Sequence, residues 1–217
     1  MTMPTDPNGF LLLLNWMSPT FPTGAFAYSH GLEWAISSGD VATSDQVESW
    51  IADVLQSGSG WNDAVLFAQC WTQDTETLNQ LALALAASHE RHLETTHLGR
   101  AFTIAARSFF PETPLPTHDI AYPIAAGTAL AKAGIDQSQA LLAFLQGFTS
   151  ALISVAVRLV PLGQTKGLEV VRNLLPIVAA TAQRAIKATL DELGSNTILA
   201  DVAAMKHETQ HSRIFRT

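Results

Sequence analysis

The sequence predicts an all-α fold, a single-domain bundle of about eight to ten helices. Apolar residues recur at helical spacing along most of the 217 residues. Segments rich in Leu and Ala, which are strong helix formers, lie between short groups of Gly and Pro. No segment of the sequence alternates apolar and polar residues as a half-buried strand does. Together these observations favour helices packed on helices around one core.

Capping and periodicity define the helices of the first half. Thr43 and Gln46 form a capping box, which opens a helix. The apolar face of this helix consists of Val47, Trp50, Ile51, Val54 and Leu55. The Ser-Gly-Ser-Gly sequence at residues 57–60 breaks or bends it. We expect further helices at residues 61–71, 75–87 and 93–109.

Prolines and glycines divide the second half. The prolines at positions 111, 114 and 116 require a loop. Residues 120–133 are expected to form a helix that Gly134 closes. A long central helix follows and ends at Pro161, and residues 168–190 form another, in which Pro176 causes a kink or a short break. The apolar positions of the long helix are Leu141, Leu145, Phe148, Leu152, Val155 and Leu159.

One segment is long and apolar enough to raise the question of a membrane span. Residues 137–157 carry no charge over 21 residues. Seven Gln, Ser and Thr residues interrupt this segment, so we expect a buried core helix and no membrane association. The apolar run at residues 10–14 is too short for a signal peptide, and we expect residues 1–8 to be flexible.

The composition indicates a protein that works in contact with other chains. Charged residues make up 14% of the sequence, below the roughly 25% of an average soluble domain. We therefore expect other chains to cover part of the surface, and the isolated chain to self-associate. The net charge of -7 argues against nucleic-acid binding. The single cysteine, Cys70, cannot form an internal disulfide, which fits a reducing compartment.

The stretch from Ser18 to Glu33 has the most unusual composition. Pro19 and Pro22 stiffen the backbone, and Gly24 permits a turn that other residues disfavour. The residues Phe26, Tyr28, Leu32 and Trp34 then follow at roughly helical spacing. This pattern fits a rigid contact surface that leads straight into a helix. A proline-rich connector whose aromatic side chains fill the core is the alternative.

The sequence His207-Glu208-Thr209-Gln210-His211 matches the H-E-x-x-H pattern of zinc proteases. Two histidines one helical turn apart bind zinc in that pattern, and the glutamate acts as the general base. None of the six residues after His211 is Cys, His, Asp or Glu, so the usual downstream third ligand is missing. A zinc-dependent hydrolase is therefore an alternative to a tail that docks on a partner.

A second group of histidines consists of His89, His92 and His97. His89 and His92 lie one helical turn apart, and Glu90 and Glu94 are close in sequence. Such a set can bind a divalent metal such as nickel. The solvated face of a helix is the interpretation we favour.

Groups for nucleophilic catalysis or nucleotide binding are not evident. The sequence has no Gly-x-x-x-x-Gly-Lys-Ser/Thr loop, and Cys70 lies in an apolar segment where an inert thiol is expected. Ser29 and His30 are only neighbours in sequence.

Two sets of arginines are candidates for partner contacts. Arg158 is the first charge after the long neutral segment, and it either lies along the end of its helix or faces a partner. Arg213 and Arg216 flank Ile214 and Phe215, a combination that suits a docking peptide. The alternative for residues 205–217 is a frayed terminus.

Three sequence blocks resemble those of the urease accessory protein family UreF, and they occur in the family's order. The first is Ser18-Pro19 through Pro22-x-Gly24-x-Phe26-x-x-Ser29-x-Gly31-Leu32-Glu33. The second is Ala156-Val157-Arg158-Leu159-x-Pro161-Leu162-Gly163-Gln164. The third is His207-Glu208-x-x-His211-Ser212-Arg213-Ile214-Phe215-Arg216. Together the blocks frame nearly the whole chain. The tail departs from the family pattern at His211, where Tyr is commoner, and at Thr217, where Ser is usual.

The resemblance implies a helical, cytoplasmic, homodimeric chaperone that is not an enzyme. Such a protein bridges the UreD-type (UreH-type) scaffold and the UreG GTPase and promotes GTP-dependent nickel delivery to apo-urease. Nickel passes through the complex, and no cofactor is bound tightly. A generic helical scaffold for unrelated partners is the remaining alternative.

The resemblance also implies roles for particular residues. Glu33 and Arg158 are expected on the surface that faces the GTPase. The expected scaffold and tail-docking residues are Phe26, Tyr28, Arg213, Ile214, Phe215 and Arg216. We do not expect a metal site, and the candidate ligands are His89, His92, His207 and His211.

Overall fold

The computed structural model describes residues 6–109 and 119–217, and within these ranges it contains ten α-helices and no strand. This confirms the predicted all-α class. The helices are α1 (Pro7–Trp16), α2 (Leu32–Ser37), α3 (Ser44–Ser57), α4 (Ser59–Gln69), α5 (Thr75–Ala84), α6 (His89–Arg107), α7 (Tyr122–Lys132), α8 (Gln137–Leu159), α9 (Gly163–Lys187) and α10 (Ile198–His207). Two short 3-10 helices, Ala25–Ala27 and Leu190–Glu192, lie between them.

Side-chain caps open five of these helices. An Asp, Ser or Thr before the helix accepts a hydrogen bond from the backbone N–H three residues on, which satisfies one of the free donors of the first turn. The caps are Asp6, Thr43, Asp74, Ser88 and Asp136. The capping box of Thr43 and Gln46 is present as predicted. Because Asp6 caps α1, residues 7 and 8 are helical, whereas we expected residues 1–8 to be flexible.

The helix ends also follow the predicted signals. Gly58 separates α3 from α4, and Gly134 takes a positive φ of 73° just after α7. Pro161 follows α8, but α9 runs through Pro176 without a break. The predicted loop at Pro111, Pro114 and Pro116 lies outside the described residues.

The core is organised around α4 and α8. α4 contacts α3, α5, α7, α8 and α9 and buries side chains on every face, as a helix enclosed by others does. α8 packs most extensively on α9 and also contacts α1, α2, α3, α4 and α7. Among the described residues, α8 is the one helix that passes a length and composition test for a membrane span. Its packing is that of the core helix that we expected.

The start and the end of the chain meet on one side of the bundle. α10 packs against α2 and α6. Gly31, with a φ of 77°, lies directly beneath α10, and a Cβ atom there would come within 2.5 Å of the Ala204 backbone nitrogen. The approach therefore requires glycine, and it brings the loop before α2 under the C-terminal residues.

Candidate functional site

The ten residues after α10 fold back onto the protein instead of fraying. The Arg216 N–H donates to the Ala27 carbonyl at 2.8 Å, and the Ser29 N–H donates to the Thr217 carbonyl at 2.9 Å. We call residues 208–217 the tail. We call the four side chains that hold it, Glu33, Glu90, Glu94 and His207, the tail clamp; Glu90 is half-buried and the other three are buried.

Glu33 accepts hydrogen bonds from the backbone of the tail. It lies in the first turn of α2 and is only 4% exposed. One carboxylate oxygen accepts the Ile214 N–H at 2.7 Å, and the other accepts the Phe215 N–H at 2.8 Å. Hydrogen bonds to an ionised group are among the stronger ones in proteins. In this conformation the Glu33 carboxylate faces the tail and is not presented to a partner.

His207 joins Glu33 to α6. Its side chain is completely buried, with Nδ1 2.7 Å from Glu90 and Nε2 3.1 Å from Glu33. A neutral imidazole has one N–H, so only the charged form donates to both carboxylates. Glu90 also binds the Arg213 guanidinium, which ties the middle of the tail to α6.

Glu94 holds the last tail residue within a second buried charge cluster. The Thr217 hydroxyl donates to it at 2.9 Å, and His30 Nε2 lies 2.7 Å from its other oxygen. Arg91 binds the same carboxylate, and Asp63 lies 4.0 Å from Arg91. His30 itself takes a positive φ of 53°, which is unusual for a residue other than glycine.

Burial and charge shift the pKa values in this cluster in different directions. Burial opposes the ionisation of Glu94, but Arg91 and His30 outweigh it and hold the Glu94 pKa at about 2. Burial raises the pKa of Asp63 to about 6, against the effect of Arg91. Burial and Arg91 both lower the pKa of His30, although Glu94 acts against them. At neutral pH both carboxylates are therefore ionised, Glu94 with little cost and Asp63 against the effect of burial.

The structure brings together predicted residues from all three sequence blocks. The Arg158 guanidinium, on exposed α8 surface, lies 5.8 Å from the centre of the buried Phe215 ring. Tyr28 is buried beneath the tail. Burial raises the pKa of its phenol, and a hydrogen bond with Arg216 acts in the opposite direction. Phe26 and Ile214 are 63% and 71% exposed, so the docked tail leaves two large apolar side chains in solvent.

The stretch before α2 serves the core as well as the surface. Tyr28 and Leu32 are buried, whereas Phe26 is exposed. The chain does not run straight into a helix, because positive φ angles at His30 and Gly31 interrupt it and α2 begins only at Leu32.

The histidines considered as metal ligands are not brought together. α10 ends at His207, so His207 and His211 do not share a helical face, and His211 is exposed. Glu208 instead accepts the His89 backbone N–H at 2.8 Å, at the start of α6. Across residues 6–109 and 119–217, no group of three or more His, Cys, Asp and Glu side chains has the arrangement of a metal site. The geometry does not fit the zinc pattern.

Several residues of the site were not predicted from the sequence. Glu90 and Glu94 were assigned to a solvated helix face, and Ser29 and His30 were dismissed as mere neighbours in sequence. Arg91, Asp63 and Thr217 were given no role in the site. One signal was available: α6 concentrates Glu90, Arg91 and Glu94 within two turns of a chain with few charges. Spacing of three and four residues places such side chains together.

Fold and site together define a class: an all-helical protein whose C-terminal segment is locked by buried carboxylates and leaves apolar and cationic side chains exposed for contact. The chain belongs to the UreF family of urease accessory proteins. The family model described as UreF matches residues 41–175. Relatives over nearly the full length carry the name of an accessory protein and not of an enzyme, as the sequence led us to expect.

Three relatives illustrate this similarity. A "Urease accessory protein UreF" of Ruegeria pomeroyi is 42% identical over 221 residues and covers 100% of both chains. One of Brucella ovis is 45% identical over 220 residues, covering 98% of this chain and 96% of its own. One of a Methylobacterium species is 44% identical, covering 95% of this chain and 88% of its own.

Proposed function

We propose that this protein is a urease maturation factor that bridges a UreD/UreH-type scaffold protein and a UreG-type GTPase. In that role it promotes GTP-dependent nickel delivery to apo-urease, as a cytoplasmic homodimer that binds no cofactor tightly. Nickel crosses the complex in transit. The proposal rests on family membership and on one structural observation, the docked tail.

The docked tail supports a bridging role because it joins surfaces from distant parts of the chain. Glu33 and Arg158 both contact Phe215, through its N–H and its ring respectively. Arg213 and Ile214 lie next to that residue and are exposed. A partner that contacts the tail is therefore also brought close to the exposed Arg158 on α8. Arginine and exposed apolar side chains often contribute much of the binding energy of interfaces.

Co-purification with the cognate scaffold and GTPase proteins tests the proposal. The full chain is compared with a chain that lacks residues 208–217, which keeps α10 intact. Size-exclusion chromatography with mass determination then reports whether a ternary complex forms. We expect a complex with the full chain, and its loss in the truncated one. An Arg158→Ala variant is expected to weaken the GTPase contact while the scaffold contact remains.

A matched control separates the proposed surface from general surface effects. Arg172 is an exposed arginine on α9, so Arg172→Ala makes the same change elsewhere. It is expected to form the complex as the unmodified protein does. If the full chain binds neither protein, the bridging role is rejected. Urease activation in cells that lack the native gene then tests whether the chain supports maturation at all.

A further inference from the structure

A groove lies beside the tail clamp, between the start and the end of the chain. It has a volume of about 400 Å³ and runs between the loop before α2, the middle of α6 and the last residues of the tail. We call it the α6 groove. Its lining includes Phe26 and Tyr28 from the loop, His97, Arg100 and Ile104 from α6, and Arg216 from the tail.

The α6 groove is cationic on a protein that is negative overall. The residues that line it include Arg100, Arg216 and His97 but no Asp or Glu, although the chain carries a net charge of -7. Arg100, Arg216 and His97 are exposed. Within the described part of the chain, no carboxylate lies within 4.0 Å of the charged groups of Arg100 or Arg216. The Arg100 guanidinium is therefore available for an acidic ligand, and the Arg216 guanidinium, which hydrogen-bonds with the Tyr28 phenol, has further N–H donors for one.

The groove also has apolar residues on both of its sides. Phe26 on the loop is 63% exposed, and Ile104 on α6 is 60% exposed. Large apolar side chains this exposed, next to arginines, are typical of protein interfaces. A free phosphate or a nucleic-acid backbone would engage the arginines but would leave these two side chains in solvent.

We propose that the α6 groove binds an acidic segment of a protein partner, with at least one large apolar side chain that packs between Phe26 and Ile104. The inference rests on the proposed function, since it assumes that the chain works within a complex. It goes beyond the proposed function by stating which side chains the partner's segment must carry, namely carboxylates and at least one large apolar group. An acidic segment is favoured because its carboxylates complement the charges of Arg100 and Arg216.

The docked tail completes the groove. Arg216 reaches its position because its backbone N–H pairs with Ala27 and the next residue pairs with Ser29. When the tail is released, Arg216 leaves the groove, and Arg100 and His97 are the basic residues that remain in its lining. Binding of the acidic segment and docking of the tail are therefore coupled, and each stabilises the other by the same factor.

Site-specific photo-crosslinking in the reconstituted complex tests the proposal. A benzoylphenylalanine is placed at Ile104 of the full chain, and the complex with the scaffold and GTPase proteins is irradiated and analysed by peptide mass spectrometry. We expect a crosslink to a segment of one partner that is rich in Asp and Glu and contains an apolar residue. A crosslink to a basic or uncharged segment, to a second copy of this chain, or to no protein overturns the inference.

Charge reversal supplies the quantitative test. Arg100→Glu is expected to weaken complex formation at least tenfold in 0.1 M salt, and less in 0.5 M salt because salt screens the attraction. The control Arg172→Glu makes the same change on an exposed helical arginine and is expected to alter affinity less than twofold. Ile104→Ser tests the apolar contact in the same assay. Equal binding by Arg100→Glu and the unmodified chain overturns the inference while the bridging function stands, whereas absence of any complex rejects both.

Discussion

Glu33 lies 3.1 Å from His207 although 174 positions separate the two residues in the sequence, and both side chains are buried. The same carboxylate accepts two backbone N–H groups of the tail. One side chain of α2 therefore connects the end of α10 with the residues that follow it. Loss of this connection is expected to release the tail without unfolding the bundle, because α4 and α8 keep their contacts with the neighbouring helices, although Phe215 leaves the edge of the core.

Replacement of Glu33 by glutamine is expected to loosen the tail. Glutamine keeps the size of the side chain but offers one acceptor oxygen and no charge, so one buried tail N–H loses its partner. Such a loss costs about 1–3 kcal/mol. Hydrogen exchange measured by mass spectrometry is expected to show at least about fivefold faster exchange in residues 208–217, the factor that corresponds to about 1 kcal/mol. Glu169→Gln, at a half-buried position of α9 far from the tail in sequence, should leave this exchange unchanged. Normal protection in Glu33→Gln would contradict the role assigned to this carboxylate.

The two histidines of the H-E-x-x-H sequence are expected to behave differently on mutation. His207→Ala leaves the buried Glu33 and the half-buried Glu90 without their shared partner, and breaking a buried ion pair costs about 3–5 kcal/mol. His211 is exposed, so His211→Ala is expected to change stability by less than about 0.5 kcal/mol. Urea unfolding monitored by circular dichroism measures both. Equal effects of the two variants, or zinc bound by the unmodified protein and lost in His211→Ala, would favour a zinc site after all.

The close approach of α10 to Gly31 predicts a large effect of a single methyl group. Alanine at position 31 must adopt a positive φ, and its Cβ atom would lie within 2.5 Å of the Ala204 backbone nitrogen. Gly39 has a φ of 87° with nothing within 4 Å of the added Cβ, so Gly39→Ala carries the conformational cost alone. That cost is about 1–2 kcal/mol. Displacement of α10 is expected to add about 1–3 kcal/mol in Gly31→Ala, measured by thermal unfolding. Similar losses in both variants would mean that α10 moves away freely.

The helices were predictable from sequence because their signals are local. The capping box at Thr43, the break at Gly58 and the stop at Pro161 each act within a few residues. The tail clamp was not predictable in the same way. Periodicity assigns Glu90 and Glu94 to a polar helix face, and only the fold shows that the tail covers this face. The family resemblance indicated Glu33, Arg158 and the tail, but not that they contact one another.

The buried charges next to the tail predict how stability varies with pH. The pKa of Glu94 lies near 2 in the folded protein, below its ordinary value of 4.5. Glu94 therefore stabilises the fold above pH 4.5, and this contribution is lost as the pH falls toward 2. Asp63 has a raised pKa of about 6, from an ordinary 3.8. The folded protein binds the Asp63 proton more tightly than the unfolded chain does. The stabilisation by protonated Asp63 is therefore fully present below pH 3.8 and is lost as the pH rises through 6.

Asp63→Asn is therefore expected to stabilise the protein at neutral pH. Asparagine is uncharged at every pH, so the variant avoids the unfavourable burial of the Asp63 charge. Arg91 keeps its ion pair with Glu94. We expect a gain of about 1–3 kcal/mol in the free energy of unfolding at pH 7.5, which shrinks to near zero below pH 4. Urea unfolding at half-unit pH steps measures this difference. Asp53→Asn, at an exposed position of α3, is the control and should show no such trend. A loss of stability in Asp63→Asn at pH 7.5 would mean that the ionised Asp63 is needed by Arg91, in spite of the 4.0 Å that separates them.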